Sequence, residues 1–467
     1  MPVVRTPARD RAAEIDAAID AVTTGAGPVV LADGSAARRI RFVTSALFVT
    51  EASPAGGWLP FGAAVGETAA DGDTLLAGLG DATVEHARRA GLAAGALLRG
   101  GDYAVEAPAD LLPALVDGLV SGYSGVEAVT LRLPGERLAD AEQGRLAADV
   151  ARLARRLTSA PANVVTPRAA ARWAETIAGR AGLTCAVLGP DEVAAEGFGA
   201  LAAIGGGSAN GPCLVRLDYL PDAGTPEVAL VGKGVTFDSG GLSLKSPAAM
   251  QAMRMDVAGA ATVLAVMAGL SRGGCPVPVR AVLPFAENLP GPGATRPGDV
   301  VTAWNGTEIQ IIDTDFEGRV MLADALALAA ASTPRLLVDL ATLTYQAEIA
   351  LGPQIAAVFG RDEPAATEFL AAAARAGEPM WRLPYDERYL DQVRTASGVR
   401  NHPLHDSGRA ITAALFLGEF VPRGVPWVHC DMAGPAWEGD ASVDGATGFG
   451  ARTLLELLLP RRPTQDS

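Results

Sequence analysis

From Glu227 onward the chain alternates apolar runs of buried-strand length with Ala- and Leu-rich runs of helical length, and this order constrains its fold more than any other feature. EVALVGKGV (Glu227 to Val235), Val277 to Pro284 and Arg335 to Ala341 read as strands buried on both faces. DVAGAATVLAVMAGL (Asp256 to Leu270) and Val320 to Ala331 read as helices between them. Strand and helix in alternation imply an α/β fold with a mainly parallel or mixed sheet flanked by helices. A length of 467 residues exceeds one ordinary core, so two such domains are expected. Residues 1 to about 140 carry shorter strand signals at Pro28 to Ala32, Phe42 to Thr50 and Val126 to Leu133, among Ala-rich helical stretches. A helical segment, Ala141 to Leu157, is broken by Pro161 and Pro167 in SAPANVVTP. The expected division is an N-terminal α/β domain over 1–150 and a larger C-terminal catalytic domain over 151–467, with the linking helix at about 141–158.

A formal net charge of -15 repels phosphate backbones, and no Lys/Arg cluster makes a local exception, so nucleic acid is not expected as a partner. Cys185, Cys213, Cys275 and Cys430 are far apart with no Cys-x-x-Cys spacing, which points to reduced structural thiols. The charged N-terminus has no apolar signal core, and no run of 18 apolar residues occurs. A cytoplasmic protein without membrane contact is expected.

Of 38 Lys plus Arg, only Lys233 and Lys245 are Lys, leaving 36 Arg. Arg stays protonated, whereas a buried Lys beside cations can lose its proton and act as a nitrogen ligand. Acidic residues collect around both lysines. VGKGVTFDSGGLSLKSP places Lys233 and Asp238 just after a strand, where α/β sheets gather ligands, and Asp256 opens the next helix. IIDTDFEGRVMLADAL then supplies Asp313, Asp315 and Glu317 at alternate positions, followed by Arg319. Alternate residues of an extended segment share a face, so Asp315 and Glu317 are expected to converge. Carboxylates forced together repel unless cations lie among them, and a two-metal site is the simplest arrangement. Two metals polarise a scissile carbonyl, lower the pKa of a bound water toward ~7 and hold a free amino group. Lys245 and Arg319 then serve the developing oxyanion.

Other motifs lack their partners. FDSGG at Phe237 to Gly241 has only His86 upstream for a serine-protease triad, and GKG at Gly232 to Gly234 lacks the spacing of a phosphate loop. His402, His405 and His429 occur without His-Glu-x-x-His.

These residues identify a resemblance to the leucyl aminopeptidase (cytosol aminopeptidase) family of two-zinc enzymes, carried by ANVVTP, VGKGVTFDSGGLSLK, ENLPGPGATRPGDV, DTDFEGR, DLATLT, HCDMAGPAW and GATGFGARTL. The resemblance implies that Lys233, Asp238, Asp256 and Glu317 hold one divalent metal (Zn or Mn) and Asp238, Asp315 and Glu317 the other. It implies catalytic roles for Lys245 and Arg319, with a bicarbonate at Arg319 as general base. It further implies a substrate pocket of Met253, Thr342, Leu343, Tyr345 and Ala446, and a homohexamer acting on the N-terminal residue of small peptides or amino acid amides.

Departures from the family pattern surround the pocket and spare the ligand set. Asp313 replaces Asn, Phe316 replaces Ala, Tyr345 replaces Gly, and Gly398 stands where Asp is usual before Asn401. Tyr345 brings a bulky ring with a polar tip to the substrate wall, to fill the first side-chain pocket or stack on substrate. Two rival readings follow: the same metal chemistry on a specialised biosynthetic amide or peptide, or a non-catalytic family member.

Overall fold

The computed structural model describes residues 8–44, 63–221, 225–439 and 445–460. The chain separates into two compact units, each built around its own sheet.

One unit comprises Asp20–Arg152 with Arg375–Gly377. Its six strands run in the order Val29–Asp33, Val129–Leu133, Gly101–Glu106, Arg38–Val43, Thr74–Gly78, Thr68–Asp71. All neighbours are parallel except the last pair. Of the expected strand Phe42 to Thr50, only Phe42 and Val43 fall within Arg38–Val43, and residues 45–50 lie outside the described residues. Leu131 and Val129 alternate with half-buried Thr130 and Arg132, the period-2 pattern of a strand with one face in the core. Helices Val84–Leu97 and Leu112–Gly122 cover that core and cross at four glycines spaced four apart on each helix, Gly91 with Gly95 and Gly118 with Gly122. A Cβ on Gly118 would stand 2.2 Å from the Arg88 carbonyl oxygen, and one on Gly91 2.4 Å from that of Leu115. Only glycine lets the two backbones approach so closely.

The other unit takes the N-terminal residues to Ile19, Leu153–Ala374 and Glu378–Pro460. The opening helix Ala8–Thr24 belongs here up to Ile19 because Ile15 and Ile19 are fully buried and Glu14 Oε2 pairs with Arg156 Nη1 at 2.9 Å. The nine-stranded mixed sheet has a parallel centre in the order Trp427–Asp431, Leu336–Ala341, Val228–Gly232, Val279–Asn288. Cys213–Tyr219 and Thr184–Leu188 add antiparallel strands on one side, and Ala356–Phe359 and Met380–Arg382 extend the other. The expected single strand Glu227 to Val235 is instead two, Val228–Gly232 and Gly234–Asp238, interrupted at Lys233. Lys233 donates its backbone N–H to the Leu340 carbonyl of the neighbouring strand (3.0 Å), and its own carbonyl accepts from Ala260 N–H in the following helix (2.8 Å), so both backbone groups stay paired where the strand breaks.

Helix Ala258–Gly273 is buried continuously from Ala258 to Leu270 and stops at Gly274 in the left-handed region (φ 64°). Met253–Gly273 is long and apolar enough to cross a membrane by length and composition, yet 83% of its most apolar 18-residue stretch is buried inside the fold as a core helix. Helix Pro167–Ala181 begins as its sequence dictates, with Thr166 capping Ala169 N–H and Pro167 in the first turn. All four cysteines are free and three are buried.

The glycine crossing is testable on stability. Gly118→Val should overpack the helix pair and destabilise that unit by about 2 to 3 kcal/mol, read in calorimetry as a lowered unfolding midpoint. An unchanged midpoint would show that the two backbones are not in contact there.

Candidate metal centre and active site

Three segments distant in sequence end at one place, on the carboxyl side of the parallel strands. Lys233 occupies the break after Val228–Gly232, and Asp238 is the last residue of Gly234–Asp238. Asp256 lies in the tight helical turn Met253–Val257 that leads into Ala258–Gly273. Asp315 sits in a turn, and Glu317 is the first residue of helix Glu317–Ala330. The expectation of an extended 313–317 segment is therefore corrected: a turn running into a helix, not a shared strand face, brings Asp315 and Glu317 together. Ligand oxygens of Asp238, Asp315 and Glu317 lie within 4.8 Å of one another.

The two lysines thread this cluster. Lys233 Nζ donates to Asp256 Oδ1 (2.6 Å), Glu317 Oε1 (2.9 Å) and the Thr342 carbonyl (2.9 Å). Lys245 Nζ pairs with Asp238 Oδ2 (2.8 Å) and with Asp315. Lys233, Asp238, Asp256 and Glu317 are buried, while the side chains of Lys245 and Asp315 stay 15% and 32% exposed, so the cluster meets solvent on their side.

Four carboxylates thus face two ammonium groups in a dry site. Burial and the Asp238 charge push the Glu317 carboxyl up to about 8 and Asp315 up to about 6. Burial also raises Asp256. Burial alone would depress Lys233 and Lys245, but the surrounding carboxylates outweigh it and raise both. Asp256 Oδ2 is buried with no hydrogen-bond partner. A donor set of carboxylate oxygens plus one lysine nitrogen, with surplus negative charge and an orphaned oxygen, fits hard or borderline divalent cations.

Asn288 and Asp431, which the sequence reading did not single out, hold this arrangement together with Asn401 and Asp313. Asn288 Nδ2 donates both to Asp238 Oδ1 (2.8 Å) and to the Thr314 carbonyl (2.9 Å), tying two ligand segments together. Asn401 Oδ1 accepts from Ile312 N–H (2.8 Å), its Nδ2 donates to the Asp313 carbonyl (2.6 Å), and its own carbonyl accepts from Arg319 Nη1 (3.0 Å). Asp313 turns inward to accept from Asp315 N–H (2.9 Å). Asp431 anchors the loop that follows strand Leu336–Ala341, accepting from Leu343 N–H (3.1 Å) and Thr344 Oγ1 (2.6 Å). The signal for Asn288 and Asp431 lay in ENLPGPG and HCDMAGPAW, which were legible as motifs but not as cross-links.

The expected pocket residues fall near the cluster by different routes. Thr342 Oγ1 donates to Asp256 Oδ1 (2.7 Å), and Leu343 follows it directly. Met253 shares its turn with Asp256. Ala446 reaches the same region through Trp437, whose backbone pairs with it and whose ring lies 5.0 Å from the guanidinium of Arg254. Tyr345 opens helix Tyr345–Leu351 and is 66% exposed, so its side chain lies mostly in solvent and fills no buried pocket. His429 takes no part in the cluster; it is buried against Asp339 (2.6 Å), whose other oxygen accepts from Trp427.

Gly318 leaves room for Lys233: a Cβ there would stand 2.4 Å from Lys233 Cε and 2.8 Å from Nζ. Gly318→Ala should displace the ammonium and weaken divalent-cation binding about 10- to 100-fold in a titration. Unaltered affinity would mean that Lys233 has slack or no share in the site.

Residues 152–455, more than half of the chain, match the catalytic domain of the cytosol aminopeptidase family. A probable cytosol aminopeptidase of Desulfovibrio desulfuricans is 43% identical over 351 residues, 74% of this chain and 69% of that protein. One of Synechococcus is 43% identical over 354 residues, 73% and 69% of the two chains. Among solved structures, the cytosol aminopeptidase of Coxiella burnetii aligns with TM-score 0.82 at 27% identity, over 92% of this chain and 99% of the other. The bottromycin maturation enzyme BotP in complex with Mn aligns with TM-score 0.80 at 37% identity, over 92% and 99%. With the sequence match, the α/β fold and the acidic cluster in agreement, the chain belongs to the cytosol aminopeptidase family and is a metallo-aminopeptidase.

Proposed function

We propose that the protein hydrolyses the N-terminal residue from small peptides or amino acid amides with two divalent cations, zinc or manganese. Lys233, Asp238, Asp256 and Glu317 hold one and Asp238, Asp315 and Glu317 the other, with Asp238 and Glu317 shared. The observation that carries this is the convergence of one lysine and four carboxylates, too many negative charges for the two ammonium groups to balance. Bound there, the cations supply Lewis-acid polarisation of the scissile carbonyl and an activated water. Lys245, partly exposed beside Asp238 and Asp315, offers its ammonium to the oxygen that becomes negative. Arg319, held by the Asn401 carbonyl, would hold a bicarbonate by its guanidinium, and that group would supply a general base. Thr342 and Leu343, fixed through Asp256 and Asp431, form the wall beside the substrate's first side chain. We further assign the protein to the cytosol, as a homohexamer without a nucleic-acid partner, in keeping with the names of its relatives and its net charge of -15.

A second reading, a dedicated substrate such as a peptide intermediate under maturation, is favoured by two observations. BotP, a maturation enzyme by its name, aligns over nearly the whole chain. Tyr345 places an exposed ring at the rim, where it can stack on a substrate longer than a dipeptide.

Metal-loaded protein tested on Xaa-Gly dipeptides and their N-acetylated forms separates the readings. Release of free N-terminal residues that needs an unblocked amine and is abolished by Glu317→Ala supports the aminopeptidase; two bound metals with no turnover across the panel favours the dedicated substrate. Lys245→Met should lower kcat about 10²- to 10³-fold with metal content intact.

Cation binding should depend on pH with a definite sign. Glu317 ordinarily loses its proton near 4.5 but keeps it here to about 8, and Asp315 keeps its own to about 6. A cation must displace those protons, so affinity rises with pH through this range. Above about 8 the slope lessens to the proton that Lys233 gives up on becoming a ligand. Calorimetry in buffers of different ionisation heat counts the protons, and binding at pH 6.5 without proton release would contradict the ligand assignment.

A further inference from the structure

Phe316 precedes helix Glu317–Ala330 at its cap position and offers no capping bond, where a polar side chain would serve the helix better. The ring has other company. The Arg319 guanidinium lies over it at 4.6 Å from the centroid, and the Arg409 guanidinium lies 5.6 Å from the same centroid. The His402 ring packs against it at 4.6 Å, tilted by 52°. Arg409 in turn stands 3.4 Å from His402 Nε2 and pairs with Asp406. One half-buried aromatic ring therefore gathers two cations and an imidazole from segments more than eighty positions apart.

Arg319 is 2% exposed, with Glu317 and Asp431 both near enough to attract it. A guanidinium free to swing would pair with Glu317 and draw away a carboxylate that the metal centre uses. An aromatic face within ~6 Å binds a cation without removing a ligand oxygen, and it also lessens the repulsion between the two guanidiniums. We propose that Phe316 is a positioning residue: its ring seats the Arg319 guanidinium clear of Glu317, and Arg409 with His402 braces the ring from the 402–409 segment. The inference rests on the part given to Arg319 in the reaction above.

The test compares Phe316→Leu, which keeps apolar bulk without a π face, with Phe316→Tyr, which keeps the ring. On the dipeptide panel, Phe316→Leu should lower kcat about 10- to 30-fold with KM within about twofold, and Phe316→Tyr should stay within about threefold of the parent. Equal losses in the two variants, or no loss with leucine, would overturn the proposal. Unfolding midpoints of the parent, Phe316→Leu, Arg319→Met and the double variant provide a readout independent of turnover. The seat requires that the two losses overlap, the double variant falling by less than their sum; simple additivity would reject it. Should the parent cleave no dipeptide while the midpoints remain non-additive, the substrate assignment fails and the seat stands.

Discussion

The structure is organised by one electrostatic problem, four carboxylates collected in a site too dry to solvate them. Asp238, Asp256 and Glu317 are each almost wholly buried, and among the described residues Lys233 and Lys245 contact the group as counter-ions. An uncompensated buried carboxylate costs several kcal/mol, so local preference alone would not assemble this set. The parallel centre of the sheet supplies the force, with fully apolar strands such as Val228–Gly232 and Leu336–Ala341 burying enough surface to hold their ends in register. The ladder is interrupted at Lys233, where backbone hydrogen bonds survive and the side chain passes over Gly318 into the cluster.

Much of this was legible in the chain. A sequence with 36 Arg that retains Lys at two places twelve residues apart marks them chemically, because only Lys can become neutral beside a cation. The apolar runs gave the central strands and the helix Ala258–Gly273 within a few residues. Less legible was anything depending on a partner distant in sequence. The helix start at Glu317 was hidden because DTDFEG alternates like a strand, and only packing of Val320, Met321 and Leu322 inside the core draws the helix back to Glu317. Asn288 and Asn401 are ordinary loop residues until Thr314 and Ile312 stand opposite them. The placement of the first helix with the larger unit rests on Ile15, Ile19 and the Glu14–Arg156 pair, contacts that no local pattern announces.

The departures from the family pattern divide by what their side chains touch. Asp313 and Phe316 face inward: one accepts from Asp315 N–H and the other lies beneath Arg319. Tyr345 faces outward with two-thirds of its surface in solvent. A change in the first group alters how firmly the reacting groups are held, and it acts on every substrate alike. A change in the second acts only on a substrate long enough to reach the rim. On the proposed assignment, with all five ligand positions filled and both groups altered, the hydrolytic chemistry would stay in place and discrimination would move to the surroundings. One pocket contact is worth only ~1 to 3 kcal/mol, so strong selectivity would have to come from several such contacts spread along an extended substrate.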